Sequence, residues 1–372
     1  MRRARTAARC ADDLRRLAQA PPDVAQLRDR VMDLVAKALA ADAISVLNTD
    51  PETFLATDGG SRGFDANGAA RFFQRVYLQN ERLSFLDLRA QKATSSLLSQ
   101  YTGGDLAVEP RYVEVYRPSG IEHEARACLA VRGAYWGGIC LARGRDVADF
   151  TADDLRFLEG IAPILAEGLR RAALSAALRE GLQTGAGGPD PKLASLLVDR
   201  SGRILFASAG APALLEEIGA DPDASGRPAA MPVRSVISAF LGTRTDTLAP
   251  GPEVVLQGRS GRWWSVAALP PQTVAGGEAA AAVVIGPARP EQKFSRLATI
   301  YALTPRERDV VDAIARGLTT EEAAGELHIR AHTVQDHLKS VFAKTGTDSR
   351  RALLARVFHT ESPLGRRFAA ES

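Results

Sequence analysis

Apolar residues recur every three or four positions in "VAQLRDRVMDLVAKAL", at Val24, Leu27, Val31, Leu34, Val35 and Leu39, the period of a helix with one buried face. "AISVLN" then predicts a strand. "ARACLAVR" and "WGGICLAR" are short apolar runs joined by "GAY", which predicts a hairpin. They lead into "FTADDLRFLEGIAPILAEGLRRAAL", where Thr151 predicts the N-cap, Asp154 follows three positions on, and Leu155, Leu158, Ile161, Leu165 and Leu169 form one stripe. Helix, strand, hairpin and closing helix define an α+β segment.

A second segment alternates differently. "LASLLVDRSGRILFASAGAPALLEEI" predicts a strand, an Asp-Arg-Ser-Gly turn, a strand and a short helix. "EVVLQGRSGRWWSVAALPP" and "AAAAVVIGP" add antiparallel strands, with "GRSG" as a turn and "GGEAAAA" as a loop tip. Trp263 and Trp264 are neighbours on a strand, so one is expected inward and the other outward, in a domain or dimer interface. "LQTGAGGPDPK", residues 182–192, has Gly and Pro and no apolar period, as a linker does; "GPARPEQK", residues 286–293, is a weaker break.

The last segment is the most regular. Thr304, Pro305 and Glu307 supply an N-cap, a first-turn proline and a capping-box acid, Val310, Val311, Ile314 and Ala315 a buried stripe, and Gly317 a stop. Thr319 and Glu322 repeat the capping box for a second helix through Leu327. A third is predicted over residues 331–345, and Asp348 or Ser349 can cap a fourth carrying Leu353, Leu354 and Val357. On the third helix Val334, Leu338, Val341, Phe342 and Thr345 share one face, while His332, Gln335, Asp336 and Lys339 share the other. At roughly 1.5 Å per residue this helix is about 22 Å long, and a DNA major groove about 12 Å wide admits it. Amphipathicity alone fits a docking or dimerisation bundle equally well.

Charge and composition narrow the classes. The 372 residues carry net charge +3 and 45% hydrophobic residues, the balance of a soluble chain of two or three domains. Three cysteines without CxxC spacing make neither a disulfide framework nor a metal set, and no apolar run reaches the ~20 residues of a membrane span. A cytoplasmic protein, nucleoid-associated when bound to DNA, is expected. Arg2, Arg3, Arg5 and Arg9 give residues 1–20 the look of a flexible basic tail. No GxxxxGK, GxSxG or HExxH motif is present, so neither catalytic residues nor a cofactor is expected, and the chain is not expected to be an enzyme. Arg296 to Ser372 holds 12 basic against 10 acidic residues, modest for a nucleic-acid module.

"LTPRERDVV", Gly317, Glu322, Ala324, "TV" at 333–334, "HL" at 337–338, Lys344, Gly346 and Arg350 resemble the LuxR-type helix-turn-helix at fixed spacing. The run "RYVEVYRPSGIEHEARACLAVRGAYWGGICLARG" leading into "FTADDLRFLEGIAPILA" resembles a GAF domain over about 21–172, and 193–288 is similar to a small PAS domain with a shortened helical middle. The fold class implied is multidomain α+β: a GAF-like α/β sandwich, a small PAS-like α+β domain and a C-terminal all-α four-helix domain over 298–360. Residues 173–192 are expected as helix end and linker, 289–297 as linker and 361–372 as tail.

The LuxR resemblance implies that Gln335, Asp336, Lys339 and His332 face DNA bases. It further implies that Thr320, Thr333, His337, Lys344 and Arg350 hold phosphates and that Leu353, Leu354 and Val357 pair two modules. The sequence departs from the family at Arg330, where a capping Ser is usual, at Gln335 and at Glu321. His123, Cys128, Tyr135 and Trp136 are the candidate pocket residues of the GAF-like segment, and each also fits plain core. The expected protein is a homodimeric DNA-binding transcription regulator answering a small-molecule or protein signal, with double-stranded DNA as partner, RNA polymerase a further candidate and no membrane. The alternative is a ligand-independent architectural or interaction protein whose GAF- and PAS-like domains only dimerise.

Overall fold

The computed structural model describes residues 2–64, 85, 88, 93–180, 193–219, 231–242, 251–271 and 279–358. They fall into two compact units, 1–176 with 185–287, and 177–184 with 288–372. Residues 182–192, "GGE" at 276–278 and 361–372 lie outside the described residues.

The first unit opens with α1 (Arg2–Gln19) and α2 (Val24–Leu39). The expected tail is therefore a packed helix over Arg2–Gln19: Cys10, Leu14 and Ala18, four apart, are buried, and α1 lies against α2. The four early arginines obscured this apolar line. Asp23 caps α2 by accepting from the Gln26 N–H at 2.9 Å.

Strands β1 (Ala43–Thr49), β2 (Ala56–Arg62), β3 (Ser95–Leu97), β4 (Ile121–Val131) and β5 (Ala134–Gly144) form an antiparallel sheet in the order β2-β1-β5-β4-β3, with a short helix α3 (Leu98–Tyr101) following β3. The β4–β5 hairpin turns on Arg132 and Gly133, at φ 53° and 76°, a two-residue turn that demands left-handed backbone at both positions. The long helix α4 (Ala152–Glu180) opens with a reciprocal box: the Thr151 N–H donates to Asp154 Oδ2 (2.9 Å) and the Asp154 N–H to Thr151 Oγ1 (3.2 Å).

The same unit holds a second sheet: β6 (Ala194–Val198), β7 (Ile204–Ala207), β8 (Glu253–Gln257), β9 (Trp263–Leu269) and β10 (Ala281–Pro287), ordered β7-β6-β10-β9-β8. Asp199 organises the first turn, accepting from the Ser201 and Arg203 N–H groups at 2.7 and 3.0 Å, with Gly202 at φ 79°. Helices α5 (Ala211–Glu217) and α6 (Met231–Gly242) contribute Leu214, Leu215, Val233, Val236, Ile237 and Phe240 to one apolar core with Leu196, Val254, Val266, Val283 and Ile285. Trp264 joins it, its indole N–H donating to Glu217 at 3.1 Å. Trp263, on the opposite side of β9, is 8% exposed, so both sides of the strand are covered there.

Ser235 Oγ donates to the Ala56 carbonyl (2.9 Å) and the Val255 N–H to Asp50 Oδ2 (3.3 Å), tying the second sheet domain to the edge strand and turn of the first.

The second unit contains α7 (Pro290–Ile300), α8 (Pro305–Ala315), α9 (Thr320–Glu326), α10 (Ala331–Thr345) and α11 (Arg350–Phe358). The expected linker at 289–297 is instead most of α7. Leu297, Ala298, Ile300 and Tyr301 are buried, and α11 packs on this helix. The preceding "GPARP" reads as a break because it ends a strand and starts a helix directly.

Candidate functional site

Both capping boxes form. The Glu307 N–H donates to Thr304 Oγ1 (3.3 Å) while Glu307 Oε2 accepts from the Thr304 N–H (2.7 Å), and Thr319 with Glu322 repeats this at 3.2 and 2.8 Å. Gly317 and Gly346 close α8 and α10 at φ 87° and 64°, where a side chain would be strained. Val310, Ala313, Ile314, Ala323, Ala324, Val334 and Leu338 make the helical core, with Val341 and Thr345 also buried on α10.

This core fixes what α10 offers outward. His332, Gln335, Asp336 and Lys339 are all exposed on the face away from Val334, Leu338 and Val341, and Thr333 and His337 flank it half-buried. Lys339 Nζ lies 3.5 Å from Asp336 Oδ1, so the acid that sits oddly on this face is paired within its own helix. Arg330 occupies the N-cap in extended conformation (φ −83°, ψ 151°) and its side chain makes no capping bond.

Several residues expected to meet phosphate or a second module are occupied elsewhere. Lys344 Nζ donates to both Glu307 oxygens (2.8 and 2.5 Å) and to the Ala302 carbonyl (3.3 Å), spending its donors inside the domain. In the free chain it ties α8 to α10. Burial pushes the Glu307 carboxyl up, but hydrogen bonds from Lys344, Ser340 and the Thr304 N–H outweigh it and hold the group at about 2. Arg350 donates to Thr320 Oγ1, and Thr320 is itself buried. Leu353 and Val357, 0% and 1% exposed, belong to the domain's own core and not to an open dimer face, because α7, unanticipated, covers α11; Leu354 is half-buried against the helical core.

The candidate pocket residues of the first sheet do not converge. Cys128 is buried with its thiol 3.8 Å from the Phe85 carbonyl, and Tyr135 packs edge-on against Phe54 at 5.4 Å, both against one aromatic cluster. His123 is at the far end of β4, with Nδ1 3.6 Å from Asp149 Oδ1. His123 pairs with Arg143 and Ala130 with Tyr135, so His123 and Tyr135 stand at opposite ends of the hairpin, and Trp136 is buried outside the cluster. Burial pushes the Cys128 and Cys140 thiols up to about 11 and 12, which leaves them unreactive.

What the sequence reading missed is a charged cluster on that sheet face. Glu124 is clamped by Arg111 (2.8 Å), Arg126 (2.7 Å) and the Tyr116 hydroxyl (2.5 Å), all four within 0–1% exposure. Burial raises the Glu124 carboxyl, but Arg111, Arg126 and Tyr116 more than offset it, leaving the group ionised; burial also pushes the Tyr116 hydroxyl well above its ordinary range. Arg126 lies 5.2 Å from the Phe85 ring centre, and Gly138 makes room for that ring. The signal was the alternation of Glu124, Arg126 and Cys128 along β4. Among the described residues no group of three or more His, Cys, Asp or Glu is placed to hold a metal.

Residues 301–357 match the family described as bacterial regulatory proteins, luxR family. A protein named as an HTH-type transcriptional regulator in Mycobacterium tuberculosis is 42% identical over 62 residues, 17% of this chain and 7% of that one. The response regulator Rre1 of Synechocystis is 39% identical over 51 residues, 14% of this chain and 22% of that one. The chain thus spans a small fraction of the length of the relatives it matches. The GAF domain of a phosphoenolpyruvate-protein phosphotransferase from Coxiella burnetii is 17% identical with a TM-score of 0.35, covering 47% of this chain and 98% of that one, a likeness too low to say anything of activity. The four helices from α8 to α11, with their two capping boxes and the turn between α9 and α10, are a LuxR-family helix-turn-helix domain.

Proposed function

We propose that this chain is a sequence-specific DNA-binding transcription regulator that acts as a homodimer and takes a small-molecule or protein signal through its first sheet domain. The observation that carries the reading is the outward stripe of α10, polar and exposed on a helix whose other face is buried in a doubly capped LuxR-family domain. The N-terminal half of such a helix meets base edges in the major groove. Gln335 has the donor and acceptor pair that recognises adenine, Lys339 suits guanine, His332 lies one turn earlier, and Thr333 and His337 flank the stripe toward the phosphates.

Two symmetric half-sites add two modest footprints, which a module of low net charge needs. Because Leu353 and Val357 are enclosed, pairing of the helical modules falls to Leu354 or to the sheet domains. A signal acts only if it binds one arrangement of the dimer better than the other.

Selection of duplexes from a random pool by the full chain tests the DNA reading, and Gln335→Ala should then lose preference at one base pair by roughly 1–3 kcal/mol. Failure to enrich any sequence over the starting pool sinks it. The second reading, a ligand-independent interaction protein whose sheet domains dimerise only, is favoured by the side chains that fill the core of the second sheet. A screen in which no metabolite raises the Tm of the full chain supports that alternative.

A further inference from the structure

Almost all positive charge in the helix-turn-helix domain is committed internally. Arg308, Arg316, Lys344, Arg350 and Arg356 donate to oxygens of the same domain, and Arg306 and Lys339 each lie 3.5 Å from a carboxylate of their own helix. Arg351 is engaged as well. Among the described residues between Tyr301 and Val357, this leaves Arg330 as the cation whose side chain makes neither a hydrogen bond nor an ion pair; it is exposed at the start of α10.

Its position has a cost. A Ser, Thr, Asp or Asn at this N-cap would accept a bond from the first turn, whereas here the opening of α10 is held only by backbone, the Thr333 and Val334 N–H groups donating to the Arg330 carbonyl at 2.9 and 3.2 Å. Its register also matters. Arg330, Thr333 and His337 fall at i, i+3 and i+7, one line along the helix about half a turn round from Gln335 and Lys339 and beside the buried face, with Arg330 itself exposed.

We propose that Arg330 is a DNA-phosphate contact, supplying at the start of α10 the charge that Lys344 gives to Glu307. Its planar guanidinium takes two phosphate oxygens at once, with Thr333 and His337 along the same line of the helix. The local cap is exchanged for binding. This inference rests on the DNA-binding reading above.

The test titrates the full-length chain with salt on a mixed-sequence duplex and on duplexes that the wild type has enriched. Wild-type protein without salt-dependent binding overturns the DNA reading itself, before Arg330 is in question. Given wild-type binding, Arg330→Ser should weaken both duplexes alike and flatten the slope of log K against log salt by about 0.9 for each bound protomer. The same variant should raise the Tm of the helical domain, since serine restores the cap, so lost binding cannot be blamed on unfolding. Arg330→Lys should keep the slope. An unchanged slope in Arg330→Ser, a loss confined to one base pair, a lowered Tm, or an Arg330→Lys slope as flat as that of serine each overturns the proposal.

Discussion

The two sheets share one strand order, second-first-fifth-fourth-third, and differ in what fills them. On the fourth strand of the first sheet the residues facing the aromatic cluster include Glu124, Arg126 and Cys128; on the fourth strand of the second, the core residues are Trp264, Val266 and Ala268. A common topology thus leaves the chemistry of the interior open, and alternate positions on one strand decide it. Two guanidinium groups and a carboxylate taken from water repay their desolvation only when every partner is in place, so the first sheet is built around a particular arrangement of Arg111, Tyr116, Glu124 and Arg126. The second sheet is held by area and fit, which tolerate rearrangement.

The sharpest way to break the contrast is Glu124→Ala. It leaves two buried guanidinium groups uncompensated and should cost about 3–5 kcal/mol in chemical denaturation. Replacing Arg111, Glu124 and Arg126 together by apolar residues of similar volume should be far milder than that single change, and a triple variant as unstable as Glu124→Ala would show that the cluster stabilises the fold outright. Gly138→Ala comes next: the new Cβ runs into the Phe85 ring, and the overpacking should cost about 1–3 kcal/mol. On the second sheet, Ile237→Val removes one methylene from the apolar core and should cost about 0.5–1.5 kcal/mol, read by the same denaturation.

Acid probes the helical domain without a change of volume. Glu307 has a folded value of about 2, below the ordinary 4.5, so its stabilisation is complete above pH 4.5 and is lost as pH falls toward 2. Hydrogen exchange of α8 and α10 should rise through that window. Glu307→Gln should remove this response there and leave β4 and β5 unaffected.

Local signals account for what was legible. Thr304 with Glu307, and Thr319 with Glu322, announce helix starts because a cap is satisfied within three residues, and Asp199 and Gly202 announce a turn for the same reason. Helix α1 was missed because its buried line is only Cys10, Leu14 and Ala18 among arginines, and α7 because a proline at its first turn reads as a break. The internal contacts of Lys344, Leu353 and Val357 were not legible for another reason. Each has a partner far along the chain, in α8 or α7, and no local pattern reports it.

By itself, the sequence determined where the helices of the C-terminal domain start and stop and which face of α10 is polar, since caps and periodicity act over a few residues. Tertiary structure decided which charges are free to meet a partner. The pairing of Lys344 with Glu307 and the burial of Glu124 among Arg111, Arg126 and Tyr116 both depend on bringing distant segments into a low-dielectric interior, where an ion must find its counter-charge. Among the described residues of the helix-turn-helix domain, Arg330 is the cation left without an internal partner.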